Sequence, residues 1–573
     1  MVELRTDEAE DATERLGIAE APMGLIDPGV MARSLVSAVL STRKHPLGVA
    51  AVGGRLVARS AQTLLVSAGR LVGVTRDGPA GSMSGDKRFG DQAFEENAFY
   101  FLLAQEYLLG TRALDELLDL ADVGDDTAGR ARFAGQFLGD ALSPTHTPLG
   151  NPAVMRRAFD TNGKSLVRGG RSFVRDIRRN GGWPSQVDTS GFQLGRNMAA
   201  TAGKVVHRSE LIEVIEYEPQ TEQCYELPLV FCPPWINKYY LMDLAPGRSL
   251  IEWALQHGHR SFAISYRNPD RSMRDLGFDD YLHDGFFKAI DVVREITGAP
   301  QVNTVSACLG GTLTAIGLAY GAQTGEHPVR SATFLNTHTD FTEAGDLGLF
   351  IDEAAVGALE RRMEEKGYLD AKEMAHTFDA LRARDLIFAY LISGWLLGDL
   401  PPSFDLLAWN NDSTRMPFRM HSQYLRSFYL NNEFARGEFE VDGYKLDPSA
   451  ADVDAYVVGA IGDHIVPWGS AFKTSQLLGG TSRFVLSSSG HIAGIVNPPS
   501  TKARYWTNEN GPTGEPVQWL AEAEQHQQTW WEDWARWISQ RSGDLGDRPS
   551  HLGSSDNPPL CDAPGTYVSA VPS

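Results

Sequence analysis

Three reactive residues each follow an apolar stretch of the kind that forms a buried β-strand, and together they could perform nucleophilic catalysis. Cys308 lies in "NTVSACLGGTL", Asp463 in "VVGAIGDHIVPW" and His491 in "FVLSSSGHIAG". Parallel strands bring their carboxyl ends to one edge of a sheet, so these side chains can meet there. A thiol, an imidazole and a carboxylate in contact can act as nucleophile, base and orienting acid.

The surroundings of Cys308 favour a nucleophile elbow, the sharp turn from strand to helix that exposes a reactive side chain. Such a turn needs small residues two positions before and after the nucleophile, where Ser306 and Gly310 stand. Glycine is usual at the position of Ser306. A lone cysteine after a strand is more often a small buried apolar residue. The chain order Cys308, Asp463, His491 nevertheless matches the nucleophile–acid–histidine order of α/β-hydrolases.

Each member of this triad has a definite role. His491 takes the proton of Cys308, and Asp463 holds the imidazole in the required tautomer. His464 is an alternative base, but it directly follows Asp463 and is therefore a poor partner for that acid.

Two backbone N–H groups are expected to bind the oxyanion that forms during acyl transfer. One is that of Leu309, directly after the nucleophile. The other should come from "CPPWINKYY", near Trp235 or Ile236. Because a thiol and a thioester leaving group have similar basicity, acyl exchange between them is nearly balanced. The cysteine therefore favours acyl transfer without excluding hydrolysis.

The elements around these residues predict an α/β-hydrolase fold with a mostly parallel sheet. Residues 1–200 have helical periodicity and form a mainly helical N-terminal domain, whereas strands alternate with helices from about residue 201 to 540. Long helical patterns interrupt this alternation at about 340–443, as a cap inserted over the active site would. Residues 541–573 are rich in Gly, Pro and Ser and predict an extended C-terminal tail.

Composition narrows the classes of function. The chain has 573 residues and a formal net charge of −21, which disfavours nucleic acid as a partner. No apolar run is long enough to span a membrane, and the acidic start does not resemble a signal peptide, so we expect a cytoplasmic protein. Four scattered cysteines and the absence of CxxC or HExxH spacing predict neither a disulfide framework nor a metal site.

One segment runs against the overall charge. Between residues 28 and 76 there is no Asp or Glu, but there are seven Lys and Arg residues among apolar stretches. Such a segment can lie on an apolar or anionic surface. The simpler interpretation is a pair of helices that pack on the protein and present solvated basic faces.

The chain closely resembles the poly(3-hydroxyalkanoate) synthases from about "DKRFGDQAF" onward. The matching segments include "PPWINKYYLMDLAPGRSL", "SYRNPD", "SACLGG", "DLLAWNNDSTRMPFRMHSQYLRSFYLNN", "GDHIVPW" and "SSSGHIAGIVNPP". The family's catalytic cysteine, aspartate and histidine map to Cys308, Asp463 and His491. Its elbow usually begins with glycine, so Ser306 is a departure. The first ~85 residues match least.

This resemblance implies polymerisation of (R)-3-hydroxyacyl-CoA into an intracellular polyester with release of coenzyme A, which is a leaving group and not a cofactor. It is closest to the self-sufficient, short-chain (class I) group, and so implies a homodimer without a second kind of subunit. In the family the N-terminal domain is associated with dimerisation and attachment to polyester granules.

Two other functions fit the same residues: a thioesterase or polyester depolymerase with water as acceptor, and a non-catalytic granule-coat protein. Three further features could serve function. Asp270 could orient the substrate but is expected to fix its own loop. The Trp-rich helix at 530–537 could bind polymer but is expected to be core. His421 and Arg426 are candidates for contact with the phosphates of coenzyme A.

Overall fold

The computed structural model describes residues 26–569, except residues 82 and 84, and the chain divides into two compact units. The first comprises residues 26–188 and 376–403, and the second residues 189–375 and 404–569. Residues 376–403, which the sequence assigns to the cap, belong to the first unit. The acidic N-terminal stretch lies outside the described residues.

The first unit is helical. Its helices are α1 (Pro28–Ser41), α2 (Pro46–Arg70), α3 (Ala93–Glu96), α4 (Ala98–Leu118), α5 (Asp125–Ala141), α6 (Pro152–Asp160) and α7 (Lys164–Arg179), with π-helical turns at Arg384–Phe388 and Leu391–Leu396. Several of them begin at a proline that follows a polar N-cap; for α1 the Asp27 carboxylate accepts hydrogen bonds from the backbone N–H groups of Gly29 and Val30.

Helix α2 carries its basic and its exposed apolar side chains on different sides. Arg55 and Arg59 pair with Glu116 on α4, and the guanidinium of Arg70 lies 3.3 Å from the ring centroid of Phe101. The prediction that this region packs on the rest of the protein is confirmed. Arg55 and Arg59 keep 48% and 40% of their side-chain surface exposed, so these basic side chains still contact solvent as expected, and the helix also presents exposed apolar side chains.

The second unit is built on a sheet that has eleven strands within the described chain, in the order β15-β14-β13-β12-β7-β6-β4-β5-β2-β1-β17. The strands of this unit are β1 (Gly203–Arg208), β2 (Ile212–Tyr217), β3 (Gln223–Tyr225), β4 (Leu229–Cys232), β5 (Ser261–Tyr266), β6 (Val302–Ala307), β7 (Val329–Leu335), β8 (Tyr368–Leu369), β9 (Met416–Pro417), β10 (Glu440–Val441), β11 (Tyr444–Lys445), β12 (Asp454–Ala460), β13 (Ser482–Ser487), β14 (Tyr505–Thr507), β15 (Glu524–His526), β16 (Leu545–Asp547) and β17 (Cys561–Asp562).

The centre of this sheet is parallel and its edges are antiparallel. Strands β5, β4, β6, β7, β12 and β13 pair in parallel, and the remaining strands of the sheet pair antiparallel on both sides. The central strands β4 and β6 are buried along their whole length, as their apolar runs predict. The predicted mostly parallel α/β sheet is therefore confirmed.

Helices cover this sheet and occupy the long connection between β7 and β12. They are α8 (Leu250–Gln256), α9 (Phe278–Asp280), α10 (Lys288–Thr297), α11 (Leu309–Thr324), α12 (Gly345–Gly348), α13 (Glu353–Lys366), α14 (Ala371–Leu381, which spans the division between the units), α15 (Asp405–Asn410), α16 (Phe418–Gln423), α17 (Trp468–Leu477), α18 (His491–Ile495), α19 (Pro516–Ala521) and α20 (Trp530–Ser539), with π-helical segments at Tyr281–Phe287 and Tyr424–Leu430.

The segment predicted as an extended tail is bound along the sheet edge. Strand β17 pairs antiparallel with β1. The buried carboxylate of Glu213 on β2 accepts hydrogen bonds from the backbone N–H groups of Thr566 and Tyr567. Buried Glu216 accepts a bond from the N–H of Gly553. Two carboxylates of one strand thus hold this segment in place.

Among the described residues no helix combines the length and the apolar character that crossing a membrane requires.

Candidate active site

Cys308 lies at a strained turn between β6 and α11. Its backbone φ is +50° and ψ is −122°, which few residues with a side chain adopt. The helix that follows passes so close to its neighbours that only glycine fits. A Cβ atom on Gly310 would lie 2.3 Å from the carbonyl oxygen of Cys232, and one on Gly311 would lie 2.1 Å from Oγ1 of Thr337. This is the geometry of a nucleophile elbow.

Ser306, which stands where glycine is usual, is buried and hydrogen-bonded. Its Oγ lies 2.8 Å from Oγ1 of Thr314, which in turn donates to the carbonyl oxygen of Gly310. The hydroxyl therefore links the strand to the helix that follows the nucleophile. A buried serine here costs little because its hydrogen bond is made inside the elbow.

Asp463 and His491 meet as the sequence predicts. The acid follows β12, and its Oδ1 accepts hydrogen bonds of 2.9 Å from the N–H groups of Ile465 and Val466. Its Oδ2 lies 2.6 Å from Nδ1 of His491, and both side chains are buried. Asp463 thus binds His491 and fixes its ring, as an orienting acid does.

His491 interacts with Cys308 as well as with Asp463. Burial opposes protonation of this imidazole, but the interactions with Asp463 and Cys308 outweigh burial and raise the pKa of His491 to about 10. A raised histidine pKa makes the ring a better acceptor for the proton of a thiol. The structure therefore brings together the three residues of the predicted triad.

The predicted oxyanion donors lie on two different elements. Leu309 is the first residue of α11, so its N–H has no acceptor within the helix. Trp235 and Ile236 lie in the loop after β4. The hydroxyl of Thr414 donates a hydrogen bond to the carbonyl oxygen of Trp235, and the same hydroxyl oxygen accepts one from the N–H of Asn237. The cap segment thus fixes this loop. Assignment of Leu309 and Ile236 as donors stays a prediction.

Two tyrosines of the cap segment lie near the nucleophile, and sequence reasoning missed them. Tyr424 and Tyr429 belong to the π-helical segment that follows α16. Burial raises the pKa of both phenols, and interaction with each other and with a charge on Cys308 contributes to their shifts. No spacing in the sequence relates them to Cys308, because the cap brings them there from more than a hundred positions away.

Other candidate residues have structural roles here. Arg426 binds the carboxylates of Glu353 and Glu360. His421 is 1% exposed, and burial lowers its pKa to about 4, so the ring is neutral at neutral pH. Neither side chain therefore offers a free positive charge to a phosphate.

Two structural interpretations are confirmed. Asp270 accepts hydrogen bonds from Ser272 and pairs with Arg267, so it fixes its own loop. The four tryptophans of α20 are buried in the core, namely Trp530, Trp531, Trp534 and Trp537.

The parallel sheet, the elbow and the ordered triad define a protein of the α/β-hydrolase class with cysteine as the candidate nucleophile. A family model described as alpha/beta hydrolase fold matches residues 228–498, and one described as Poly-beta-hydroxybutyrate polymerase (PhaC) N-terminus matches residues 85–254.

Curated relatives narrow this class to one family. The chain is 40% identical to the Poly(3-hydroxyalkanoate) polymerase of Methylorubrum extorquens, over 84% of this chain and 80% of that protein. It is also 40% identical to the Poly(3-hydroxyalkanoate) polymerase subunit PhaC of Cupriavidus necator, over 85% of this chain and 83% of that protein. The chain belongs to the poly(3-hydroxyalkanoate) polymerase family and is an acyltransferase.

Proposed function

We propose that this enzyme polymerises (R)-3-hydroxyacyl-CoA into a poly(3-hydroxyalkanoate) through an acyl group bound to Cys308. The observation that carries the proposal is a thiol at the elbow that interacts with a buried His491–Asp463 pair. The names of the relatives support the polymer class, and the thiol supports a thioester substrate.

The first half-reaction is acyl transfer to the enzyme. The thiolate of Cys308 attacks the thioester carbonyl, and the oxygen of the tetrahedral intermediate accepts from the backbone N–H of Leu309 and from the loop after β4. The bond between the carbonyl carbon and the sulfur of coenzyme A breaks. Coenzyme A leaves as a thiol after taking the proton held by His491.

The second half-reaction forms the ester. The 3-hydroxyl oxygen of another hydroxyacyl group attacks the thioester carbonyl on Cys308 while His491 takes the hydroxyl proton. The ester bond forms, the carbon–sulfur bond to Cys308 breaks, and the proton returns to the sulfur. Each cycle therefore consumes one hydroxyl and one thioester and produces one ester and one free thiol, that of coenzyme A.

Incubation of the purified protein with 3-hydroxybutyryl-CoA tests this function. We expect free coenzyme A together with turbidity from polymer. Free coenzyme A with only soluble 3-hydroxybutyrate would identify a hydrolase, and no release of coenzyme A would leave a coat protein. Either of these results would overturn the proposal.

We further propose that the enzyme works as a cytoplasmic homodimer attached to polyester granules. The outward face of α2 and the residues after it support the attachment. Six exposed aliphatic side chains line it, namely Leu47, Val57, Leu64, Leu65, Leu71 and Val72. A water-insoluble polyester offers a surface that such a face can contact. Light scattering of the purified protein tests the dimer: a monomer during turnover would contradict it.

A further inference from the structure

The loop that follows β7 touches all three segments that carry the triad. The segment consists of the last residue of β7 and the three residues that follow it (335–338, "LNTH"), and it is buried throughout. It is called the β7 loop below. Three of its side chains are polar, namely Asn336, Thr337 and His338, and the proposed reaction assigns no role to Asn336 or His338.

The β7 loop binds the nucleophile segment through its backbone. The N–H of Cys308 donates to the carbonyl of Leu335 over 2.9 Å, and Oγ1 of Thr312 on α11 donates to the carbonyl of His338 over 2.6 Å. Both ends of the β7 loop are thereby fixed to the elbow.

Asn336 binds the segment that carries the base. Its side-chain amide donates to the backbone carbonyl of His491. The residue has a φ of +47°, a conformation that asparagine tolerates better than most other residues. The backbone from which the catalytic imidazole projects is therefore held by a side chain of the β7 loop.

His338 binds the segment that carries the acid. Its Nε2 lies 3.1 Å from the carbonyl oxygen of Ile465, whose own N–H donates to Oδ1 of Asp463. The ring stacks on Phe341 with a centroid distance of 4.7 Å. Burial lowers the pKa of His338, which keeps the ring neutral and leaves one nitrogen to donate to Ile465.

Each of these two side chains makes a bond to a segment of the triad that an apolar residue could not make. Oδ1 of Asn336 is buried and has no hydrogen-bond partner among the described residues. A buried polar atom without a partner costs free energy, so the amide bond to His491 offsets a cost at this position. His338 lies against the backbone of Asp340 as well as that of Ile465.

We propose that Asn336 and His338 are positioning residues that fix the relative placement of His491 and Asp463 against the nucleophile. Asn336 fixes the position of the His491 backbone, and His338 fixes the backbone of the turn that follows Asp463. This inference rests on the proposed function, because it takes Cys308, Asp463 and His491 as the reacting and orienting groups.

Two variants remove the bonds with little change in shape. His338→Phe keeps the stack on Phe341 but loses the donor, and Asn336→Gly keeps the backbone conformation but loses the amide. We expect each to lower kcat for release of coenzyme A from 3-hydroxybutyryl-CoA by about tenfold, with KM changed less than twofold. His338→Gln, which can still donate, should recover most of the rate.

Alkylation of Cys308 by iodoacetamide separates positioning from mere packing. The rate at pH 7 is measured by mass spectrometry of the peptide that contains Cys308, and it reports how well His491 draws the proton. We expect it to fall about tenfold in His338→Phe and Asn336→Gly. The matched control is Thr339→Val. Thr339 is the residue after His338, and its buried hydroxyl bonds to Thr474 and to none of the segments that carry the triad.

A double variant tests whether His338 acts on the alkylation rate through Asp463. In an Asp463→Asn background, His338→Phe should lower the alkylation rate by less than twofold, because the acid through which His338 acts is already gone. Unchanged alkylation in both single variants, or an equal fall in Thr339→Val, would overturn the inference. Failure of the proposed function itself would appear earlier, as a wild-type enzyme that releases no coenzyme A or keeps its activity after Cys308 is alkylated.

Discussion

In the proposed mechanism, the cysteine in the elbow holds the acyl group as a thioester. This thioester has nearly the same free energy as that of the substrate, so the acyl-enzyme is neither a trap nor a high-energy intermediate. The proposed mechanism therefore lets the acyl group remain on Cys308 until a second hydroxyacyl group arrives. In that mechanism His491, which is bonded to the buried Asp463, is the base for the second step.

Replacement of the nucleophile gives the first prediction. Cys308→Ala should lower release of coenzyme A by roughly a thousandfold or more, because each turnover begins with thiolate attack. Thermal unfolding should stay close to that of the wild type. Cys561→Ala is the matched control, since that half-buried thiol lies on β17 and outside the triad. Substantial release from a folded Cys308→Ala protein would refute the assignment.

The acid and the base should differ in the step that they limit. A thiol, with an ordinary pKa of about 8.5, loses its proton far more readily than a 3-hydroxyl group. Asp463→Asn should therefore slow elongation by roughly a hundredfold but first acylation by only about tenfold, and short acyl chains should accumulate on Cys308. His491→Gln should impair both steps. Mass spectrometry after brief exposure to substrate checks this, and equal losses for Asp463→Asn would contradict it.

The same variant should change the titration of the histidine. The carboxylate of Asp463 raises the pKa of His491, so Asp463→Asn should lower that pKa. The ring then loses its proton at lower pH, and less imidazolium is present beside Cys308 at pH 7. The rate of alkylation of Cys308 by iodoacetamide at pH 7 should therefore fall in Asp463→Asn. An unchanged or higher rate would show that the pair does not activate the thiol.

At the scale of residues, the sequence predicts those positions that follow from the order of the chain and from the ends of its strands. Cys308, Asp463 and His491 each follow an apolar strand, and their contact follows from the sheet. Tyr424, Asn336 and His338 could not be predicted in the same way. Their positions near the triad depend on how the cap and the β7 loop pack, and no local period in the sequence records that packing.

At the scale of elements, the elbow depends on a hydrogen bond between β6 and α11. The hydroxyls of Ser306 and Thr314 lie 2.8 Å apart inside the protein. This pair explains why the chain departs from the usual glycine: the hydroxyl has a partner on the next element. The sequence shows that Ser306 is small enough for the turn, but it does not show which residue accepts the hydrogen bond of its hydroxyl.

The pair gives a prediction about stability. Thr314→Val leaves the Ser306 hydroxyl buried without its acceptor and should lower the free energy of unfolding of the second unit by about 1–3 kcal/mol. The double variant Ser306→Ala with Thr314→Val removes both hydroxyls and should cost less than Thr314→Val alone. Calorimetry of the three proteins checks this. A double variant less stable than Thr314→Val would contradict the account.

The alternation of strands and helices predicts the central sheet well, because each element is buried and its period is strong. The connection from β7 to β12 is harder to divide. Its helical pattern is continuous, yet residues 376–403 belong to the first unit and the flanking residues to the second. Helical periodicity identifies a buried face but not the unit against which that face packs.

At the scale of the whole molecule, the apolar face at α2 gives a prediction about the proposed attachment to polyester granules. Changing Leu64, Leu65 and Leu71 to Gln should lower the fraction that sediments with polyester granules, by on the order of tenfold for each leucine that the surface buries. Release of coenzyme A from soluble substrate should be unchanged. Val517→Gln is the control, because Val517 is 75% exposed but lies in the second unit. Full attachment of the triple variant would contradict this role.

The binding of residues 561–567 to β1 and β2 also has a consequence for synthesis on the ribosome. Thr566 reaches Glu213 across 353 positions, so the edge of the sheet cannot close until nearly all of the described chain has been made. In a nascent chain that has not yet reached this segment, the outer edge of strand β1 is unpaired and the carboxylate of Glu213 lacks most of its donors. Such an edge invites pairing with other chains. Slow translation or premature termination in this region should therefore yield aggregates, and not merely shorter enzyme.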